Sequence, residues 1–162
     1  MIAVPYVPTP ENIIKKILQL ANVTSTDMVY DLGCGDGRVV ITAAKYFGAK
    51  AKGIEIRRDL VEEARQRVIK EGVSDKVEII EGDMYSIPLH DATVVYMYLL
   101  TSVNEKLKPK LQMELKPGAR VVTLDFEIPG WNPVKKAYIW DGYRFRTVYF
   151  YVIGKSNRKS LE

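Results

Sequence analysis

An α/β domain built on one doubly wound sheet, ending in an antiparallel hairpin, is the architecture this sequence predicts. Three observations carry it. Short apolar runs at residues 29–32, 51–56, 77–80, 92–97 and 120–126 alternate mostly with stretches of helical periodicity. The first run leads into Asp31-Leu32-Gly33-Cys34-Gly35-Asp36-Gly37, which reads as strand, tight turn and helix start. Two further β-rich runs, 134–140 and 143–153, are joined by Asp141-Gly142, a strong hairpin signal. Strands alternating with helices give a parallel sheet covered on both faces, and the hairpin adds an antiparallel end.

The elements follow in order. Pro5, Pro8 and Pro10 surround Tyr6, Val7 and Thr9, so residues 1–10 read as a rigid, extended arm. Thr9 is placed to cap a helix that has Pro10 at its first position. Ile13, Ile14, Ile17, Leu18 and Ala21 form the apolar face of that helix. The helix after the Gly turn runs to about Phe47 and stops at Gly48. A third helix takes Asp59 as its cap with Glu62 three residues on, buries Leu60, Val61, Ala64, Val68 and Ile69, and ends at Gly72. Strand three is followed by Gly82-Asp83-Met84. Strand four is followed by Tyr98 and a helical stretch broken near Pro109.

Composition bounds the rest. The 162 residues are read as one domain over 1–158, with 159–162 a tail whose Leu161-Glu162 looks like a cloning remnant. No apolar run reaches membrane-spanning length and no secretory leader is evident, so a cytoplasmic protein with no membrane partner is expected. The lone Cys34 and lone His90 exclude an internal disulfide and leave no metal-ligand set. A net charge of +4 is compatible with nucleic acid without indicating it. Abundant Lys, Glu, Ile and Val with little Gln hint at a thermophile.

The Gly-rich turn carries the chemistry. Gly33, Gly35 and Gly37 let the backbone approach a ligand at a helix N-terminus. A dinucleotide fingerprint wants Gly or Ala where Arg38 stands. Asp31, just before the turn, repels a pyrophosphate but attracts an ammonium group. Glu55 closes the next strand, at the distance expected of a carboxylate that grips ribose hydroxyls. An amino-acid end, a ribose and an adenine without phosphate describe S-adenosyl-L-methionine (SAM). On this reading Asp83 accepts a hydrogen bond from the adenine amine and Met84 lies against the ring. All these residues fall at or just past the carboxyl ends of strands, where doubly wound sheets bind ligands.

The stretch 29–38, Glu55, Gly82-Asp83 and the closing hairpin resemble the class I SAM-dependent methyltransferases, over nearly the whole chain. Tyr6-Val7-Pro8-Thr9-Pro10, the stretch 99–111 and Phe126-Glu127-Ile128-Pro129-Gly130-Trp131 narrow this to the small archaeal protein-lysine methyltransferases. Those are relatives of mitochondrial lysine methyltransferases and, distantly, of Dot1-like enzymes. The resemblance implies a Rossmann-like seven-stranded methyltransferase sheet, SAM as donor with S-adenosyl-L-homocysteine as product, no metal, and exposed lysines of proteins as acceptors. Tyr96-Met97-Tyr98-Leu99 stands where adenine and amide methylating relatives carry Asn-Pro-Pro-Tyr. RNA or a small molecule is the alternative acceptor, and a non-catalytic SAM- or nucleic-acid-binding module a third reading.

Lysine is protonated at neutral pH, with an ordinary pKa near 10.4, yet must react as the neutral amine. Two positive charges about 4 Å apart repel by roughly 4 kcal/mol at an effective dielectric near 20. A sulfonium beside the amine therefore favours its neutral form, and no strong base is required. Tyr6 and Tyr98 are the expected catalytic pair, lining a channel that holds the lysine stem in line. Thr9 is expected to touch the SAM carboxylate or cap the first helix. Asp125, Glu127 and Trp131 are candidates for the same region, each with a plain structural role as the alternative. Arg38 and Lys45 are expected on a solvated helix face.

Overall fold

The computed structural model describes residues 8–158. Eleven elements follow in chain order: α1 (Glu11–Leu20), β1 (Met28–Leu32), α2 (Arg38–Phe47), β2 (Lys50–Glu55), α3 (Arg58–Lys70), β3 (Val77–Glu81), β4 (Val94–Met97), α4 (Thr101–Glu114), β5 (Arg120–Leu124), β6 (Lys135–Trp140) and β7 (Phe145–Val152). The strands form one sheet in the order β3-β2-β1-β4-β5-β7-β6. The first five are parallel, and β7 runs antiparallel between β5 and β6. The expected seven-stranded, doubly wound sheet with its hairpin is what the chain adopts.

Period-two alternation divides the core in two. Val29, Ala51, Val94, Val122 and Val148 face α1, α2 and α3. Tyr30, Leu32, Ile54, Val95, Met97 and Val121 face α4 and the loop after β5, with Leu107, Leu111, Ile128 and Trp131 above them. Strand order reverses between β1 and β4. Crossovers leave the sheet in opposite directions there, which opens a crevice at the carboxyl ends of the strands.

Several local expectations change. Helix α1 begins at Glu11 with Pro10 as its cap residue. The N–H groups of Ile13 and Ile14 donate to the Pro10 carbonyl, and Thr9 gives no side-chain cap. Helix α3 likewise starts from Arg57 with no side-chain cap, and Asp59 pairs with the Arg57 guanidinium at 2.8 Å instead. Ile69 is 63% exposed, because Leu60, Val61, Ala64 and Val68 already fill the buried stripe of that helix. Helix α4 is continuous through Pro109. The buried Asn104, Leu107 and Leu111 hold both halves to one axis, and the ring sits within the run despite its missing N–H. No helix separates β3 from β4. Strand β5 stops at Leu124 because Asp125 turns to φ 64°, two residues short of the expected end. In the hairpin, the Asp141 N–H donates to the Arg144 carbonyl, so Gly142 (φ 103°) and Tyr143 form the turn.

Candidate active site

A cavity of about 620 Å³ lies at the carboxyl edge of the sheet over the β1/β4 switch point, a size ordinary for a small-molecule site. Its floor is the Gly turn. Gly33, Gly35 and Gly37 have φ values of 80°, 58° and 83°, a left-handed conformation that side-chain-bearing residues adopt only at a cost. Gly37 has a second reason to be glycine. A Cβ there would stand 3.1 Å from the Ala64 methyl, so its absence lets α2 and α3 close up. The N–H groups of Gly33 and Cys34 both donate to the Ile54 carbonyl, tying the turn to the end of β2.

Glu55 finishes that tie. Its Oε1 accepts the Gly35 N–H at 2.8 Å, and its Oε2 accepts the N–H groups of Ile56 and Arg57 at 3.0 Å each. A carboxylate offers about four lone-pair sites. Three are taken, so one is left for a ribose hydroxyl, where a grip on both was expected. Asp31 is 4% exposed, and no cation among the described residues pairs with it. Burial first, then the charges of Glu55 and Asp36, push its carboxyl well above the usual range. A buried carboxylate without a cation, opening on a cavity, is a seat for a ligand ammonium group. Asp36 has its own partners in Arg38, at 2.6 Å, and Arg67, at 3.6 Å.

Asp83 and Met84 line the other end of the cavity. Asp83 is exposed. Its Oδ1 caps a turn through the Tyr85 N–H at 2.8 Å, so the turn role holds beside any ligand role. Thr9 is buried and lines the cavity, and its carbonyl accepts from Arg38 at 3.0 Å. Arg38 is thus a brace between the arm and the Gly turn, not a solvated side chain. Lys45 is on the surface, paired with Glu71. Tyr6 lies outside the described residues.

Tyr98 stands on the cavity wall one residue past β4. Tyr96, two residues earlier on the same face of the strand, lines the cavity as well. Its buried hydroxyl faces the Thr9 side chain without a hydrogen bond of proper geometry. The Tyr98 ring stacks on Phe126, centroids 6.2 Å apart, and its hydroxyl accepts from Arg146 at 3.0 Å. Burial raises the Tyr98 phenol above its ordinary pKa, opposed by the Arg146 charge. Asp125 is the partner of Arg146 at 2.7 Å, not a bare surface carboxylate, while Glu127 is exposed. Trp131 is buried edge-on against Tyr151 and anchors the loop away from the cavity.

The sequence pattern of the ANTKMT methyltransferase domain matches residues 31–135, from β1 into β6. The chain belongs to this methyltransferase family. It is 52% identical to a protein-lysine N-methyltransferase of Saccharolobus islandicus, over 94% of this chain and 95% of that protein. It is 38% identical to the mouse adenine nucleotide translocase lysine N-methyltransferase over 81% of this chain, and spans 57% of that protein's length. A crystal structure titled RNA methyltransferase from Salinibacter ruber, in complex with S-adenosyl-L-homocysteine, superposes with a TM-score of 0.88. It is 44% identical, covering 96% of this chain and 99% of that one. Like other methyltransferases of the family, this chain takes its methyl group from SAM.

The ANTKMT-type cavity fits SAM on its own geometry. Left-handed glycines at alternate positions would admit the methionine part, Asp31, which pairs with no cation among the described residues, would suit its ammonium, and Glu55 keeps one acceptor site for a ribose hydroxyl. Tyr96, Phe126 and Arg146 are not marked as site residues by the sequence, and Arg38 is a brace on Thr9 rather than the solvated side chain expected. The first was readable, since residues i and i+2 of a strand share a face. The others answer to contacts distant in sequence.

Proposed function

We propose that this methyltransferase acts on lysine side-chain amines of proteins, with Asp31, Glu55, Asp83, Met84, Thr9 and the three glycines holding the donor and Tyr98 facing the acceptor. The observation that carries this reading is the shared cavity. The same cavity is lined by the carboxylates of Asp31 and Glu55 and by Tyr96, Tyr98 and Phe126, with Tyr96 beside Asp31 across the β1–β4 pairing, and the matching relative is a protein-lysine enzyme. The donor supplies a methyl group on a positively charged sulfur. The chain supplies alignment and the exclusion of water. Tyr98 and Phe126, stacked on each other, line the cavity together with Leu100 and Val103 and offer apolar surface for the four-carbon stem of lysine. The Tyr98 oxygen is placed to accept an amine hydrogen. Among the described residues no histidine or lysine lines the cavity, in keeping with an amine made neutral by its cationic neighbour. Tyr6 belongs to the same proposal as a second part of that surface. Residence in the cytoplasm and a thermophilic source extend it, supported by composition.

The 44% identity to a structure titled RNA methyltransferase favours RNA as a second reading. Incubating the enzyme with methyl-labelled SAM and separate pools of protein, RNA and small metabolites discriminates the two. Label in protein lysines is expected. Label confined to RNA would move the acceptor assignment to that reading while leaving the donor site intact.

A further inference from the structure

Arg146 lies on β7, outside every element that builds the Gly turn, yet it is 5% exposed and reaches the cavity wall. Its Nε donates to Asp125 at 3.1 and 3.0 Å and its Nη2 to the same carboxylate at 2.7 Å. Its Nη1 donates to Asp141 at 3.3 Å, and Nη2 also meets the Tyr98 hydroxyl at 3.0 Å. One planar guanidinium therefore joins three segments: the end of β5, the hairpin turn and the residue after β4. Such a fork needs arginine, since a lysine ammonium cannot hold a fixed plane toward several partners. Asp125 is one of two described non-glycine residues with positive φ. Backbone in that conformation at a site is held by its surroundings, and here the surroundings are the Arg146 and Arg144 pairs.

We propose that Arg146 is a positioning residue for methyl transfer, fixing the Tyr98 ring and hydroxyl at the acceptor side of the cavity through its fork to Asp125 and Asp141. The proposal deepens the lysine reading and rests on it for the identity of the acceptor. The physical consequence is specific. The phenol oxygen has two lone pairs and one proton. Arg146 occupies one lone pair, which fixes the rotation of Tyr98 and leaves one lone pair for an incoming amine hydrogen. The hairpin that presents Asp141 thereby becomes part of the acceptor wall, although it supplies no atom to the donor site.

The test compares Arg146→Met, Arg146→Lys, Tyr98→Phe and the double variant Arg146→Met/Tyr98→Phe. Each is measured for SAM affinity by calorimetry and for kcat and KM with whichever acceptor pool the wild type labels. Arg146→Met is expected to lower kcat on the order of 10- to 100-fold while SAM affinity changes less than about threefold. Arg146→Lys is expected to recover part of that loss. In the Tyr98→Phe background the same Arg146 change is expected to cost less than about threefold, because its target hydroxyl is gone. Equal losses in both backgrounds would overturn the proposal, as would full kcat in Arg146→Met.

A second readout needs no acceptor: NMR of a labelled Tyr98 ring, titrated with pH. Without the Arg146 charge the Tyr98 phenol is expected to titrate at higher pH than in the wild type. An unchanged Tyr98 titration would overturn the proposal whatever the acceptor proves to be. A shifted titration in an enzyme that ignores lysine would refute the lysine reading alone. If Arg146→Met does not fold, the neutral Arg146→Gln, whose amide can still donate to Asp125, carries both readouts.

Discussion

Replacing Glu55 by Ala is expected to damage two things that can be measured separately. The carboxylate accepts three backbone N–H groups, from Gly35, Ile56 and Arg57. Hydrogen bonds to a charged group contribute about 1.5–3 kcal/mol each, for an upper sum of roughly 4.5–9 kcal/mol. The cavity lets water reach the freed donors, so most of that is recovered, and a net loss of about 2–4 kcal/mol of stability is expected. For a chain of this size that lowers Tm by roughly 5–15 °C. Binding suffers through two routes. The ribose loses a charge-assisted partner, about 1.5–3 kcal/mol or roughly 13- to 160-fold in Kd. The Gly turn also loses its tie to β2, so part of the binding energy goes to ordering it. Differential scanning calorimetry gives the first effect and titration calorimetry with SAM the second. Glu55→Gln keeps the shape, offers one acceptor oxygen, and should fall between the two. SAM affinity in Glu55→Ala within threefold of wild type would remove Glu55 from the donor site, whatever Tm does.

Other outcomes follow from the same geometry. Asp31 has a raised carboxyl pKa, so without ligand its contribution to stability is present at low pH and is lost as pH rises through that folded-state value. Asp31→Asn is therefore expected to raise Tm near neutral pH yet weaken SAM at least tenfold, and SAM affinity of the wild type should fall as the pH drops through the same value. An Asp31→Asn protein that is less stable at neutral pH and binds SAM normally would refute this account. Gly37→Ala meets both φ 83° and the Ala64 methyl at 3.1 Å, and thermal unfolding should show a loss of about 2 kcal/mol or more; a change under 0.5 kcal/mol would sink the packing argument. Pro109→Ala should hold or raise Tm, since α4 is continuous there and proline costs a helix interior about 3 kcal/mol relative to alanine; a drop in Tm would mean the ring has a packing role.

The donor half of the site was legible because its residues obey local rules. Asp31, the three glycines and Glu55 belong to one strand-turn-helix-strand unit, and their positions follow from strand ends and turn chemistry. The helix caps were not legible at Thr9 and Asp59. At the first helix a contact distant in sequence fixes the entering chain, since Arg38 grips the Thr9 carbonyl; at the third a local one does, since the Glu55 carboxylate accepts the Arg57 N–H two residues on. Either hydrogen bond sets the helix start without a side-chain cap from Thr9 or Asp59. Pro109 misled for a similar reason, since the propensity penalty is real but Leu107 and Leu111 are fully buried and hold the helix.

The acceptor half shows why alternation alone misleads at a sheet edge. Read by itself, Arg144-Phe145-Arg146-Thr147 suggests arginines facing water and a phenylalanine facing the core. The structure reverses this: Phe145 is exposed and Arg146 is buried. The parity is set further along the strand, where Val148 and Phe150 lie on the Arg146 face and pack under α1 and α2. Because the side-chain period is two, those residues commit Arg146 to the inside, and a buried guanidinium then needs partners. Asp125 and Asp141 provide them only because the β5–β7 pairing brings Leu124 opposite Val148 and the turn brings Asp141 back over Arg144. Two carboxylates that looked incidental in the sequence are thus what allows a charged side chain to sit behind Tyr98. If that pairing register were slipped by one residue, Arg146 would face solvent and Tyr98 would lose its anchor. The acceptor wall therefore depends on the register of the hairpin, which no local motif records.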